Sequence, residues 1–260
     1  MAEYTAAVEI QNVSLIYHSL EGGETEALRN ISFTVKPREF VSIVGPSGCG
    51  KSTLLSLIAG LLRPTSGTVQ VEGNKVEGPS PKVGYMLQQD YLFPWRTVLE
   101  NALIGLEVMG QKDRASVERV RELLTSYGLE GFEDHYPGQL SGGMRQRVAL
   151  VRTLATNPDI CLLDEPFAAL DYQTRLFIEE EVGRILRESA KTVLLVTHDI
   201  SEAVAMSDRV IVLSKRPSVV VNEHKIDLGL ENWSALAARN EAAQFKTYFR
   251  DIWKELDVHA

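Results

Sequence analysis

The sequence predicts an α/β fold with an N-terminal antiparallel β layer, a core of parallel strands and a helical subdomain inserted into that core. Three observations carry this. Strand-like runs at residues 8–13, 31–35, 40–44 and 68–71 dominate the N-terminal part. In the last of them Val69 and Val71 alternate with Thr68, Gln70 and Glu72, the period of a half-buried antiparallel strand. The stretch 89–157 shifts to helical spacing, with Val117, Val120, Leu124 and Tyr127 on one face and Gly128 placed to stop the helix. Beyond it, the apolar runs 160–163 and 192–196 flank a helical stretch at 172–189, and strand, helix, strand with wholly apolar strands implies a parallel crossover.

The remaining elements follow in order. Residues 40–44 lead into a glycine-rich loop, residues 53–59 form the helix that leaves it, and residues 83–87 make a further strand. The run 210–213 extends the parallel sheet, and Ala242, Phe245, Phe249, Ile252 and Leu256 share one face of a terminal helix docked on the core. The expected organisation is one domain over residues 1–260. Its core spans about 1–88 and 158–228, its helical subdomain about 89–157 and its C-terminal helical tail about 229–260.

Composition narrows the function. With 260 residues, 44% hydrophobic and 24% charged, the chain can bury a sizeable core. A formal charge of -8 argues against nucleic acid as a partner, because phosphate neutralisation needs a clustered excess of Lys and Arg. The start lacks a basic stretch followed by an apolar run, so no secretory signal is expected. No window approaches the ~18 apolar residues that span a bilayer. Cys49 and Cys161 are read as free thiols. His18, His135, His198, His224 and His259 show no paired ligand spacing.

Gly45, Pro46, Ser47, Gly48, Cys49, Gly50, Lys51 and Ser52 match G-x-x-x-x-G-K-[ST] at every fixed position, between a strand and a helix that begins near Thr53. Glycines let backbone N–H groups turn inward on phosphates, and the helix N-terminus adds partial positive charge. Lys51 is placed to reach the β- and γ-phosphates of a nucleotide, and the Ser52 hydroxyl to bind Mg²⁺. Cys49 lies inside this loop, so bound ATP is expected to protect it from alkylation.

The strand 160–163 ends in Asp164 and Glu165. Ligands of open α/β sheets sit at such strand ends, which puts Asp164 toward Mg²⁺ and Glu165 toward an attacking water. Thr197, His198 and Asp199 end the next strand and bring the His198 imidazole to the same rim.

Leu140, Ser141, Gly142, Gly143, Met144, Arg145, Gln146 and Arg147 resemble the signature sequence of ABC-transporter ATPases. Ser141, Gly142 and Gly143 precede a helix beginning near Met144, a second anion site. The resemblance runs from about residue 8 to 228 and implies the P-loop ABC ATPase fold. It implies a head-to-tail homodimer in which the phosphate loop of one copy and Ser141, Gly142 and Gly143 of the other enclose one ATP. It further implies that Tyr17 stacks on adenine, that Gln88 reaches Mg²⁺ and water, and that Asp171 lies in a loop crossing the dimer interface, although Asp171 also suits a helix cap.

The implied function is ATP hydrolysis driving transport through separate integral membrane permease subunits, with a solute-binding protein acting indirectly and the chain peripheral on the inner face of the cell membrane. Residues 92–101 resemble the group importing nitrate, sulfonates, taurine, bicarbonate or vitamin precursors. An exporter subunit and, further off, a non-transport clamp ATPase are the competing readings. Tyr91, Leu92, Phe93, Pro94 and Trp95 suit either core packing or a groove for a permease helix, and the resemblance favours the groove.

Overall fold

The computed structural model describes residues 6–18 and 22–258, so His259 lies outside the described residues. The chain opens with β1 (Val8–His18), β2 (Glu24–Val35), β3 (Phe40–Val44), α1 (Lys51–Ile58), β4 (Ser66–Val71), β5 (Asn74–Lys75) and β6 (Val83–Met86). Three helices follow, α2 (Val98–Val108), α3 (Arg114–Ser126) and α4 (Gly142–Ala155). Then come β7 (Ile160–Asp164), α5 (Tyr172–Glu188), β8 (Thr192–Val196), α6 (Ile200–Met206), β9 (Arg209–Leu213), β10 (Val220–Lys225), α7 (Ala235–Asn240) and α8 (Phe245–Val258).

The N-terminal layer is antiparallel, in the order β2-β1-β4-β5. Val8, Ile10, Val13 and Leu15 of β1 are buried, and the register shifts where Asn12 takes φ 48°. Asn tolerates that left-handed backbone, which is how the bulge is accommodated.

The second sheet runs β10-β9-β3-β8-β7-β6 and is parallel from β9 to β6. Every residue of β3, β7 and β8 is buried, as expected of parallel strands covered on both faces. Alternate residues feed different cores. Cys161, Leu163, Val193 and Leu195 pack with Val98, Leu106, Val120, Leu124, Val148 and Val151 of the inserted helices. Ile160, Leu162, Leu194 and Val196 pack with α1 and the antiparallel layer. A third cluster joins α6, α7, α8 and β9 through Val204, Val212, Ala238 and Ile252.

Two helix starts differ from the sequence reading. α1 begins at Lys51 rather than Thr53, because left-handed Gly50 acts as its N-cap. α4 begins at Gly142 rather than Met144, since the Ser141 hydroxyl accepts from Met144 N–H at 3.3 Å and caps the helix two residues earlier. β10 was not foreseen; it is an antiparallel edge strand whose side chains are only partly buried, so it shows no clean alternation. Ala242 precedes α8 instead of lying in it, yet packs against the same cluster. The C-terminal ends of β3, β6, β7 and β8 all lie along one sheet edge, where a parallel sheet presents its ligand site.

Candidate active site

The phosphate loop leaves β3 at Val44 and enters α1 at Lys51. Gly48 and Gly50 hold φ of 73° and 109°, and a Cβ at Gly50 lies 2.8 Å from Leu28 Cδ2, so neither conformation nor space admits a side chain there. Lys51 is buried, and its ammonium donates to Gly45 O at 2.8 Å and Pro46 O at 3.1 Å, lying across the loop. A buried cation held by carbonyl oxygens at a helix N-terminus is matched to an anionic ligand. Tyr17 is exposed, with its hydroxyl 3.1 Å from Thr53 Oγ1 at the side of the loop. Tyr17, Gly45, Pro46, Ser47, Gly48, Cys49, Gly50, Lys51, Ser52 and Thr53 thus come together.

Cys49 corrects one expectation. Its side chain is 1% exposed and packs beneath Gly45, where a Cβ meets Cys49 Sγ at 2.8 Å. Cys161 is equally buried, and burial pushes its thiol up to about 12. Maleimide is therefore expected to label both cysteines slowly in the native protein, with or without ATP, and completely on unfolding. Rapid native labelling of Cys49 that ATP suppresses puts its thiol on the ligand side instead.

Three strand ends meet on one carboxylate. Glu165 Oε2 lies 3.3 Å from His198 Nδ1, beyond β8, and 3.3 Å from Gln88 Nε2, beyond β6. Glu165 holds φ 49°, with its N–H bonded to Val196 O at 2.8 Å, a strained backbone that fixes where its side chain starts. Asp164, at the end of β7, is 2% exposed, and its Oδ1 has no hydrogen-bond partner among the described residues. Burial, the largest influence, raises its carboxyl above the usual range against the pull of the Ser52 hydroxyl. The Tyr85 phenol beside it is pushed up to about 12, mainly by burial.

An orphaned buried carboxylate oxygen beside a serine hydroxyl is a hard oxygen pair that fits Mg²⁺. Among the described residues no group of three or more His, Cys, Asp or Glu could hold a metal. The sparse donor set suits an ion that completes its shell with phosphate oxygens and water.

The signature residues stand apart from this cluster. Ser141 and Gly142 are exposed, and a Cβ on Gly143 comes within 2.9 Å of Leu170 Cδ2. Among the described residues no hydrogen bond links these three to the phosphate loop. Asp171 is exposed and caps α5, its Oδ1 accepting from Thr174 N–H at 3.1 Å, and the Thr174 bonds hold its carboxyl below the usual range.

Sequence reasoning missed Gln146. It is buried on α4, donates to Glu165 O at 2.9 Å and accepts from Ala169 N–H at 2.9 Å. It ties the signature helix to the backbone of Glu165 and to the loop ending in Asp171. A glutamine close to the buried run Val148, Ala149, Leu150 and Val151 was the available signal. Also missed were Arg145 and Arg152, which anchor the segment after Gln88. Arg145 Nε reaches Asp90 Oδ2 at 3.0 Å, and Arg152 donates to Asp90 O at 2.7 Å and Tyr91 O at 2.9 Å.

The next segment is braced by Asn101, fully buried on α2. It accepts from Phe93 N–H at 2.7 Å and donates to the carbonyls of Phe93, Arg96 and Thr97 at 3.1, 3.0 and 2.9 Å. Leu92 is buried, Phe93 half-buried, and Tyr91 and Trp95 are 59% and 70% exposed, with the Phe93 and Trp95 rings 5.2 Å apart. This loop therefore presents aromatic surface outward. A cleft of about 320 Å³ runs between Gly45, Pro46, Ser47, His198 and the α8 side chains Trp253 and Leu256. The terminal helix thus borders the phosphate loop, which its periodicity alone did not reveal.

Among the described residues no helix is long and apolar enough to cross a membrane. Comparison with known proteins agrees with the geometry. The sequence profile of the ABC transporter family matches residues 28–168. An uncharacterized ABC transporter ATP-binding protein, YtlC of Bacillus subtilis, is 47% identical over 250 residues, 96% of this chain and 95% of that protein. The taurine import ATP-binding protein TauB of Pelagibacter ubique is 42% identical over 83% of this chain and 82% of its own length. The aliphatic sulfonates import ATP-binding protein SsuB of Bacillus cereus is 42% identical over 84% of each. The dimeric bacterial ABC transporter cassette MJ0796 and its dimeric post-hydrolysis state bound to ADP and Pi match with TM-scores of 0.77 and 0.76. Both are 37% identical to this chain and cover 85% of it and 99% of the cassette.

Proposed function

The chain belongs to the ABC transporter family, and from that premise we propose that it is the ATP-hydrolysing subunit of an importer for a small solute of the sulfonate or taurine type. The relatives named for taurine and sulfonate import support the importer reading. The partners are separate membrane permease subunits, which hold the chain at the inner face of the membrane, and a solute-binding protein reached through them. A second copy of the chain completes the site.

The observation that carries the chemistry is the meeting of Glu165, His198 and Gln88 at one carboxylate oxygen beside a phosphate loop. Water attacks the γ-phosphorus in line, the bond to the β–γ bridging oxygen breaks, and the proton passes to Glu165, leaving ADP and phosphate. His198 holds γ-phosphate and water in register, and Gln88 orients the water. Lys51 exchanges the carbonyls of Gly45 and Pro46 for β- and γ-phosphate oxygens. Tyr17 stacks on the adenine. Ser52, Asp164 and Gln88 would hold Mg²⁺, which when bound neutralises charge on the β- and γ-phosphates. In the dimer, Ser141, Gly142 and Gly143 donate from the N-terminus of α4 to the γ-phosphate held by the other copy, and Asp171 crosses between copies. The helices α2 to α4 then move as a unit on the core and carry the permease contact with them.

The test is phosphate release from ATP by the purified chain, expected with Mg²⁺ and absent when Mg²⁺ is chelated. Asp164→Asn is expected to abolish that Mg²⁺-dependent release while raising the melting temperature of the nucleotide-free chain by a few degrees. The sign follows from burial. With the folded pKa of Asp164 raised, its contribution favours the fold below the unfolded pKa and is lost as pH rises through the folded value, so above the unfolded pKa the carboxyl costs the nucleotide-free chain stability that an amide does not. Mg²⁺-dependent release at the parental rate in Asp164→Asn overturns the metal assignment.

A further inference from the structure

The phosphate loop is held from outside as well as from within. Between β9 and β10, Arg216 donates to Gly48 O through Nε at 3.1 Å and Nη2 at 2.9 Å. Ser218, fully buried, shares its one hydroxyl proton between Cys49 O and Ser214 O, the latter at 2.9 Å. The same serine is stitched to β2, its N–H bonding Ala27 O at 3.0 Å and its carbonyl accepting from Arg29 N–H at 2.9 Å. Leu28, between those two, is the residue that a Cβ on Gly50 strikes at 2.8 Å. Three pieces of chain that are distant in sequence therefore meet on the outer face of this loop.

A trans peptide is planar, with its C=O and N–H pointing in opposite directions. Fixing the Gly48 carbonyl outward turns the Cys49 N–H inward, and fixing the Cys49 carbonyl outward does the same for the Gly50 N–H. The Cys49 N–H does point across the loop, to Pro46 O at 3.2 Å. Inward N–H groups are what a phosphate needs, and left-handed glycines such as Gly48 and Gly50 are free to rotate them away.

We propose that Arg216 and Ser218 are positioning residues for nucleotide binding: they clamp the Gly48 and Cys49 carbonyls outward and so preset the N–H groups that grip the phosphates. The inference rests on the ATP-binding reading of the loop but assigns a role to residues outside its motif. Arg216 acts through backbone it holds, on the side away from the ligand. Because Ser218 is bonded to β2, and β2 pairs with the part of β1 that carries Tyr17, opposite Thr25, the clamp also ties the base side of the site to its phosphate side.

The test is ADP binding by titration calorimetry to the full chain and to Arg216→Ala and Arg216→Lys, with thermal unfolding of each in the absence of nucleotide. Arg216 is exposed, so its replacement leaves the fold in place. Arg216→Ala is expected to bind ADP about tenfold more weakly at an unchanged melting temperature. Arg216→Lys, whose ammonium also donates to a carbonyl, is expected to recover most of that loss. Hydrogen exchange across residues 45–52 of the nucleotide-free chain should quicken in Arg216→Ala alone. Parental ADP affinity in Arg216→Ala overturns the proposal, as does a loss that only tracks a lowered melting temperature. Failure of the unaltered chain to bind ADP instead overturns the ATP-binding reading itself.

Discussion

Replacing Glu165 by Gln is expected to leave ATP binding intact and to lower turnover by at least about 10²-fold, the contribution of a positioned general base. The amide keeps the shape of the carboxylate and can still reach Gln88 and His198, both 3.3 Å from Oε2 in the parent. It cannot take the proton of the attacking water. The backbone should not change, because the left-handed conformation of residue 165 is set by its N–H bond to Val196 O and by Gln146 on its carbonyl. Single-turnover phosphate release measured alongside ATP affinity separates the two effects. Release near the parental rate removes Glu165 from the chemistry.

The second large effect is expected at the aromatic loop. Replacing Phe93 and Trp95 together by Ala should weaken assembly with the permease subunits by roughly 10³-fold if the two effects add, because buried aromatic anchors commonly contribute ~2 kcal/mol each to an interface. Transport should fall with assembly, while the isolated chain keeps its ATP affinity. The geometry supports this separation. Trp95 is 70% exposed and Phe93 half-buried, whereas the loop is shaped from beneath by Leu92 and the four hydrogen bonds of Asn101, which the substitutions leave in place. The loop is joined to Gln88 through the segment that Arg145 and Arg152 pin to α4, so movement at Gln88 has a short mechanical route to it. Co-purification from membranes and the melting temperature decide the matter together. Unchanged assembly shows that the aromatic pair faces elsewhere, and loss of the cooperative thermal transition gives it a role in the fold instead.

The part of this molecule legible in its sequence is the part fixed by local chemistry. The wholly apolar strands at 160–163 and 192–196 announced a parallel core. The glycines of the phosphate loop announced its left-handed turns, and the strand ends announced Asp164, Glu165 and His198. What stayed hidden depends on contacts between segments far apart in sequence. The Cys49 thiol is buried because Gly45, without a side chain, leaves space for it within the loop. Gln146 reads as one polar residue in a helix until the backbone of Glu165 and Ala169 is folded against it. β10 lacks a readable alternation because neither of its faces is fully buried, so neither selects apolar residues. The tail was legible as an amphipathic helix, but its place against Pro46 and His198 required the fold. Asp171 stands between these cases: its local role as the cap of α5 is visible in the isolated chain, and a role between copies needs the second copy.

In the proposed dimer, one copy supplies the phosphate loop and the other supplies Ser141, Gly142 and Gly143 to the same ATP. Light scattering of Glu165→Gln with Mg²⁺ and ATP, with bound nucleotide counted in the same fraction, tests it most directly. The expected result is a species of twice the 28.9 kDa chain mass carrying one ATP per chain, which Ser141→Arg in the same background returns to an ATP-bound monomer. A Glu165→Gln chain saturated with ATP that stays monomeric, or a dimer indifferent to Ser141→Arg, contradicts the shared site.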